Sequence, residues 1–163
     1  GSILSESKFT FYRLGFAPGT GISNHNAFSG VRVNVSADIN TTSTPTAITW
    51  GSTLFNTNAN VNGDLFWFNS DADRLTVRTS GFYKIRSFVQ SGADGSSNSY
   101  TITLRKNGST AVDTVSMSAN DFVDLDVILE LAEDDFLELL ISNSDNTGTI
   151  LDSTYLELIR EGV

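Results

Sequence analysis

Oxygen is the metal-ligating chemistry that this chain offers in quantity. Cysteine is absent, which removes thiolate zinc sites, a Cys nucleophile and any disulfide framework, and His25 is the sole histidine. Loop carboxylates remain: Asp71 and Asp73, then Asp94, then Asp145 in Asp145-Asn146-Thr147-Gly148. Carboxylate and amide oxygens of this kind suit calcium, although none of these stretches has the spacing of a full EF-hand loop. The plainer reading of the same residues is turn formation, because Asp and Asn side chains hydrogen-bond the nearby backbone. No other cofactor is expected.

A Ser-His-Asp site needs an imidazole held beside its nucleophile by a rigid scaffold. His25 lies between Asn24 and Asn26 in a stretch without periodicity, and nothing identifies a partner nucleophile. A glycosidase-type carboxylate pair requires a fixed separation across a cleft, which counting carboxylates does not supply. No catalytic residue is assigned, and a non-enzymatic protein is expected, with a carbohydrate-active enzyme as an alternative. Ligand binding falls to the Asn/Thr/Ser-rich stretches 40–46, 56–64 and 91–98, because loops on a rigid scaffold commonly carry recognition. Trp50 and Trp67 lie in strand-like runs and read as core.

The elements that must position these loops are strands. Residues 75–77 and 82–89 are two β-rich runs around a turn containing Thr79, Ser80 and Gly81. In the second run Tyr83 and Ile85 alternate with Lys84 and Arg86, a period of two that gives a strand two unlike faces. Val31, Val33, Val35, Ala37 and Ile39 alternate with polar residues in the same way and predict one half-buried strand. Short strands are expected at 47–50 and 53–55. Residues 65–68 hold the aromatic cluster Phe66, Trp67 and Phe68 before an acidic turn over 69–73. Residues 99–106 alternate again, Asn107-Gly108 is a strong hairpin signal, and 111–117 returns as the partner strand.

The composition of 122–141 favours helix, but Val123, Leu125, Val127, Leu129 and Leu131 fall every second residue, and alternation resumes at Leu137, Leu139 and Ile141. Two strands joined by an acidic turn fit that pattern better than one helix. A turn over 143–148 and a closing strand over 155–160 complete an all-β chain of about eight to ten strands, spaced as in a sandwich or barrel.

At 163 residues the chain is one domain long, enough to bury about 68–70% of its unfolded surface. A formal charge of −9 argues against sequence-independent binding to nucleic acid or to anionic membranes, which needs a basic surface. No apolar run reaches the length of a membrane-spanning helix, so membrane insertion is not expected. Residues 1–28 are broken by Gly15, Pro18, Gly19 and Gly21, yet Phe9, Phe11, Tyr12 and Phe16 are too apolar for a solvated linker. They form either a tail packed along the domain or a connection to a stalk whose aromatics grip a neighbouring subunit. Gly1-Ser2 reads as the remnant of a cleaved tag, so the chain is expected to be a piece of a longer protein, with a head domain over 29–163.

Gly81-Phe82-Tyr83-Lys84-Ile85 resembles the Gly-x-Tyr-x-aliphatic motif of the C-one-q globular heads and tumour-necrosis-factor-like domains. Further pieces follow in the family's order: Ile48 and Trp50, Phe55 and a polar loop with Asn60, the Lys106-Asn107-Gly108 hairpin, Leu131-Ala-Glu-Asp-Asp-Phe-Leu137, and the aromatic-led Tyr155-Leu-Glu-Leu-Ile159. The likeness spans residues 29–163 and departs at Asp134, where the family favours Gly.

The resemblance implies a jelly-roll β-sandwich assembled as a homotrimer. One sheet, containing the 82–89, 122–131 and 155–160 strands, would face the three-fold axis with Tyr155 near it. If Ile85, Val127, Leu129 and Leu156 point inwards, parity puts Lys84, Arg86, Asp124, Asp126, Glu130 and Glu157 together on the opposite face, as an inter-subunit network of mixed sign. Within the family the sparse charge, lack of cysteine and wealth of Asn, Thr, Ser and Gly look microbial or viral. The expectation is an extracellular receptor-binding head of a phage or bacterial surface fibre, on a virion or bacterial cell surface, whose receptor is a cell-surface glycan. A capsid decoration or fibre-trimerisation domain without its own receptor is the alternative.

Overall fold

The computed structural model describes residues 29–57, 66–94, 97–145 and 147–161. The expectations placed on 1–28, His25 and its aromatic neighbours included, and on the loop over 58–64 with Asn60 lie outside the described residues. Twelve strands run through the rest: β1 Gly30–Asn34, β2 Ile39–Thr41, β3 Thr46–Ala47, β4 Ser52–Thr57, β5 Leu75–Thr76, β6 Gly81–Gln90, β7 Ser99–Lys106, β8 Thr110–Ser118, β9 Phe122–Leu131, β10 Phe136–Asn143, β11 Gly148–Ile150 and β12 Tyr155–Arg160. Four of them have only two or three residues, so eight substantial strands build the sandwich. No described helix is long and apolar enough to cross a membrane.

One sheet has the order β4-β1-β12-β6-β9 and the other β3-β10-β7-β8, with β5 also on β10; β11 and β2 form a small two-stranded sheet. Every pairing is antiparallel. Alternation fills the space between the large sheets. Tyr83, Ile85 and Val89 of β6, with Leu156 and Leu158 of β12, are fully buried with Tyr100, Ile102 and Leu104 of β7 and Leu137 and Leu139 of β10. Each such apolar side chain contributes about 1.5–3 kcal/mol by leaving water. Phe66 meets Tyr83 edge to face, with ring centroids 6.2 Å apart. Trp50 and Trp67 are buried, as core residues should be.

Local chemistry accounts for the turns. Asn107 and Gly108 have φ of 53° and 71°, the left-handed pair of a tight hairpin turn, and with Ser109 they make the three-residue connection between the paired Lys106 and Thr110. The Phe136 amide donates to Asn107 Oδ1 at 2.9 Å, and Asn107 Nδ2 donates to Asp135 at 2.7 Å. Thus the β7–β8 hairpin is tied to the β9–β10 turn. Asp134 adopts φ of 68°, filling in that turn the left-handed position for which Gly is favoured.

Two expectations need correction. The alternating run from Val31 does not make one strand. It breaks after Asn34, Ala37 is exposed, and the chain re-forms as β2 against β11: Val35 N still bonds Thr154 O, but Thr154 N turns back to Leu151 O and ends the ladder. Of the 47–50 region only Ala47 is strand, at the end of β3; Ile48 and Trp50 are held by bonds from their amides to Leu139 O and Ala72 O. The turn over 78–80 carries the chain from one sheet to the other, β5 pairing with β10 and β6 with β12 and β9.

Candidate functional site

The outer face of the β4-β1-β12-β6-β9 sheet carries the residues singled out by parity. Register aligns Arg32 with Glu157, Glu157 with Arg86, and Arg86 with Asp126. This makes a row of alternating charge across β1, β12, β6 and β9. Within it Arg86 Nε donates to Asp126 at 3.3 Å and Arg32 Nη1 stands 3.9 Å from Glu157; Lys84 Nζ, one pair along, lies 3.4 Å from the same Asp126. Glu157 is buried beneath its two arginine neighbours. Arg86 and Asp126 are each about half exposed, with side-chain exposures of 50% and 53%, and such a pair adds only about 0–1 kcal/mol to the stability of one chain.

Beside the charged row runs an aromatic one. Tyr155 stacks on Phe88 with centroids 6.0 Å apart, and Phe88 stacks on Phe122 at 5.7 Å. The Arg32 guanidinium sits 3.6 Å from the centre of the Tyr155 ring, close enough for a cation–π contact. Among the described residues, three of the five large apolar side chains that stand exposed, Phe82, Phe122 and Ile128, lie on this one face. A mixed apolar and charged face of that kind marks an interaction surface. Asp124 faces Phe88 and Glu130 faces Phe82 in register, and neither has an ion-pair partner among the described residues.

So the face gathers all seven residues expected there: Tyr155, Lys84, Arg86, Asp124, Asp126, Glu130 and Glu157. It also adds Arg32, Phe88, Phe122 and Ile128, which the sequence reading passed over. Phe88, Phe122 and Ile128 share the parity of the residues already chosen, so the period of two was a sufficient signal for them. Arg32 was not reachable that way, because nothing local says that β1 lies beside β12.

The aspartates considered for calcium are dispersed. Asp73 pairs with Arg74 at 3.2 Å, Asp71 accepts from Ser70, and Asp145 accepts from Ser97 at 3.3 Å. No group of three or more His, Asp or Glu side chains gathers among the described residues. Asp94 has its own setting. Its carboxylate accepts from the Tyr100 hydroxyl, from Thr149 N at 2.8 Å and from Thr149 Oγ1 at 3.2 Å. Burial pushes the Asp94 carboxyl up, but these hydrogen bonds outweigh it and hold it below the usual carboxylate range. Burial and the bond to Asp94 push the Tyr100 phenol up to about 12.

Two of the three stretches expected to bind ligand meet here. Asn40, Thr41 and Thr42 form a common wall between two recesses. One, of about 320 Å³, is lined by Asp94 and Thr147–Thr149. The other, of about 260 Å³, is lined by Ile39, Ala47, Ile48, Ile141 and Ile150.

No family model and no curated protein matches this chain. Solved structures do. The murine APRIL crystal structure at pH 8.5 aligns over 83% of this chain and 100% of its own, at 14% identity and a TM-score of 0.58. The Eiger TNF structure from S. frugiperda aligns over 83% of this chain and 93% of its own, at 12% identity and a TM-score of 0.57. The chain has the tumour-necrosis-factor-like jelly-roll fold that its motif order led one to expect.

Proposed function

We propose that this chain is the non-enzymatic, trimeric, receptor-binding head of an extracellular fibre on a phage virion or bacterial surface. The observation that carries the proposal is the outer face of the first sheet. There Phe82, Phe122 and Ile128 stand exposed at 57%, 57% and 60% amid charged rows in which Asp124 and Glu130 have no ion-pair partner among the described residues. Neighbouring copies repeated about a three-fold axis would cover these apolar groups and supply cations to β9. Desolvation offsets most of the Coulomb gain, so the charges would set register and partner choice while the apolar groups supply affinity. The extracellular setting, the fibre and a glycan receptor rest on the fold together with the cysteine-free composition rich in Asn, Thr, Ser and Gly.

The test compares Arg86→Ala with Ser97→Ala by sedimentation, with a calcium chelator as a further arm. Arg86→Ala is expected to weaken the trimer and Ser97→Ala to leave it intact; equal trimer stability of the two variants would sink the proposal. A chelator-sensitive trimer would return the loop aspartates to consideration as metal ligands. Substitutions in the loops then separate a receptor-binding head from a domain that only trimerises, since the first loses host-cell binding and the second does not.

A further inference from the structure

We infer that the paired recesses around Asn40–Thr42 form a binding site for a neutral sugar bearing an acetamido group. The inference deepens the receptor-binding reading and rests on it for its biological setting. The polar recess offers hydrogen-bonding groups at fixed positions. Asp94 Oδ2 is engaged by the Tyr100 hydroxyl and the Thr149 amide, whereas among the described residues Oδ1 accepts from Thr149 Oγ1 alone. A carboxylate has room for about four hydrogen bonds, so Oδ1 can take a further donor such as a sugar hydroxyl. The Asn40 and Thr147 side chains line the same recess and have no hydrogen-bond partner among the described residues. An ionised carboxylate in the wall, in a protein of net charge −9, disfavours an acidic sugar.

The framework behind these groups is rigid. Asn143 Nδ2 donates to Thr41 Oγ1 at 2.7 Å, and Asn98 Nδ2 donates to Thr147 O at 2.8 Å. At Gly148 a Cβ would come within 2.5 Å of the Tyr100 hydroxyl and 2.7 Å of Asn143 Nδ2; glycine is what allows the loop to lie against this network.

Across the Asn40–Thr42 wall the second recess is lined by Ile39, Ile48, Ile141 and Ile150. Ile48, Ile141 and Ile150 are close-packed behind this recess, at most 3% exposed, so the apolar surface that its space of about 260 Å³ offers a guest is that of the part-exposed Ile39 and Ala47. An unsubstituted hexose has no group to place there. An acetamido substituent has a methyl for Ile39 and Ala47 and an amide for Asn40 on the dividing wall, while the ring hydroxyls reach Asp94 and Thr147. Polar and apolar demands are then met by one small molecule, the usual composition of a ligand pocket.

The experiment titrates the full chain, by calorimetry and by ligand-observed NMR, with methyl glycosides of N-acetylglucosamine, N-acetylgalactosamine and N-acetylmannosamine. The unacetylated hexosides and N-acetylneuraminic acid run alongside. At least one acetamido sugar is expected to bind about tenfold more tightly than its unacetylated counterpart, and N-acetylneuraminic acid not to bind. Ala47→Leu, which fills the apolar recess, should erase the acetamido preference, and Asn40→Ala, an exposed change that keeps the fold, should weaken binding. Asp94→Asn should weaken binding of acetamido and plain sugars alike. Absence of binding by all acetamido sugars, equal binding of acetylated and plain sugars, or binding unaltered in Ala47→Leu and Asn40→Ala would overturn the assignment. Solution mass is recorded on the same samples. A trimer that binds no sugar defeats this inference alone, whereas a monomer defeats the head reading.

Discussion

Asp94 illustrates how one side chain can organise a loop end. Its partners Tyr100 and Thr149 come from β7 and β11, and the short chain of hydrogen bonds joins both to the loop after β6. The two shifts act at opposite ends of the pH scale. Asp94 is held below its ordinary value, so its contribution to stability is present above that value and is lost as pH falls through the folded-state value. Tyr100 is raised from 10 to about 12, so its contribution is complete below pH 10 and is lost as pH climbs from 10 towards about 12. Denaturant midpoints measured across pH should therefore fall on that alkaline limb, and Tyr100→Phe should flatten it while lowering stability at neutral pH by about 1–3 kcal/mol. An unchanged alkaline limb in the variant would remove Tyr100 as its cause. In the sequence Asp94 stood out as an oxygen ligand in a loop. Its true partners were invisible, since Thr149 lies 55 residues away and only the fold brings it near.

At the scale of elements, the outward rows of β12, β6 and β9 separate two kinds of charge. Glu157 is buried between Arg32 and Arg86, with 11% of its side chain exposed; Arg86 reaches solvent. Glu157→Ala should cost the single chain about 1–3 kcal/mol, because it strips Arg32 of its carboxylate in a half-buried setting. Arg86→Ala should cost less than about 1 kcal/mol, both read from urea unfolding at a dilution where assembly is lost. Equal costs would contradict the row as described. Much of this was legible beforehand: alternation over 122–141 overruled helical composition, and Asn107-Gly108 located a hairpin, whose connection also takes in Ser109. Strand ends were less legible. The valine alternation from Val31 runs past Asn34 although the strand does not, since pairing partners and not propensity end a strand. The chain's passage between sheets after β5 likewise depends on distant β10.

For the whole molecule the question is what covers the first sheet. A sandwich needs only its inner faces to fold, and here those are filled by the core cluster of β1, β6, β7, β10 and β12. Stacked Tyr155, Phe88 and Phe122, with exposed Phe82 and Ile128, therefore lie outside what one chain requires. That surplus is why assembly is the central claim. The order of motifs made the jelly roll legible as a resemblance and the parity of three strands located the face. The apolar residues of that face share the parity of its charged ones.

The most direct measurement is the solution mass of the chain by light scattering, beside Ile128→Glu. Ile128 is 60% exposed, so the substitution leaves the fold of one chain intact, which circular dichroism verifies, while placing a charge where a neighbour would pack. The account predicts three chain masses of 17.6 kDa for the parent and one for the variant. A parent of one chain mass, or a variant that remains trimeric, would contradict it.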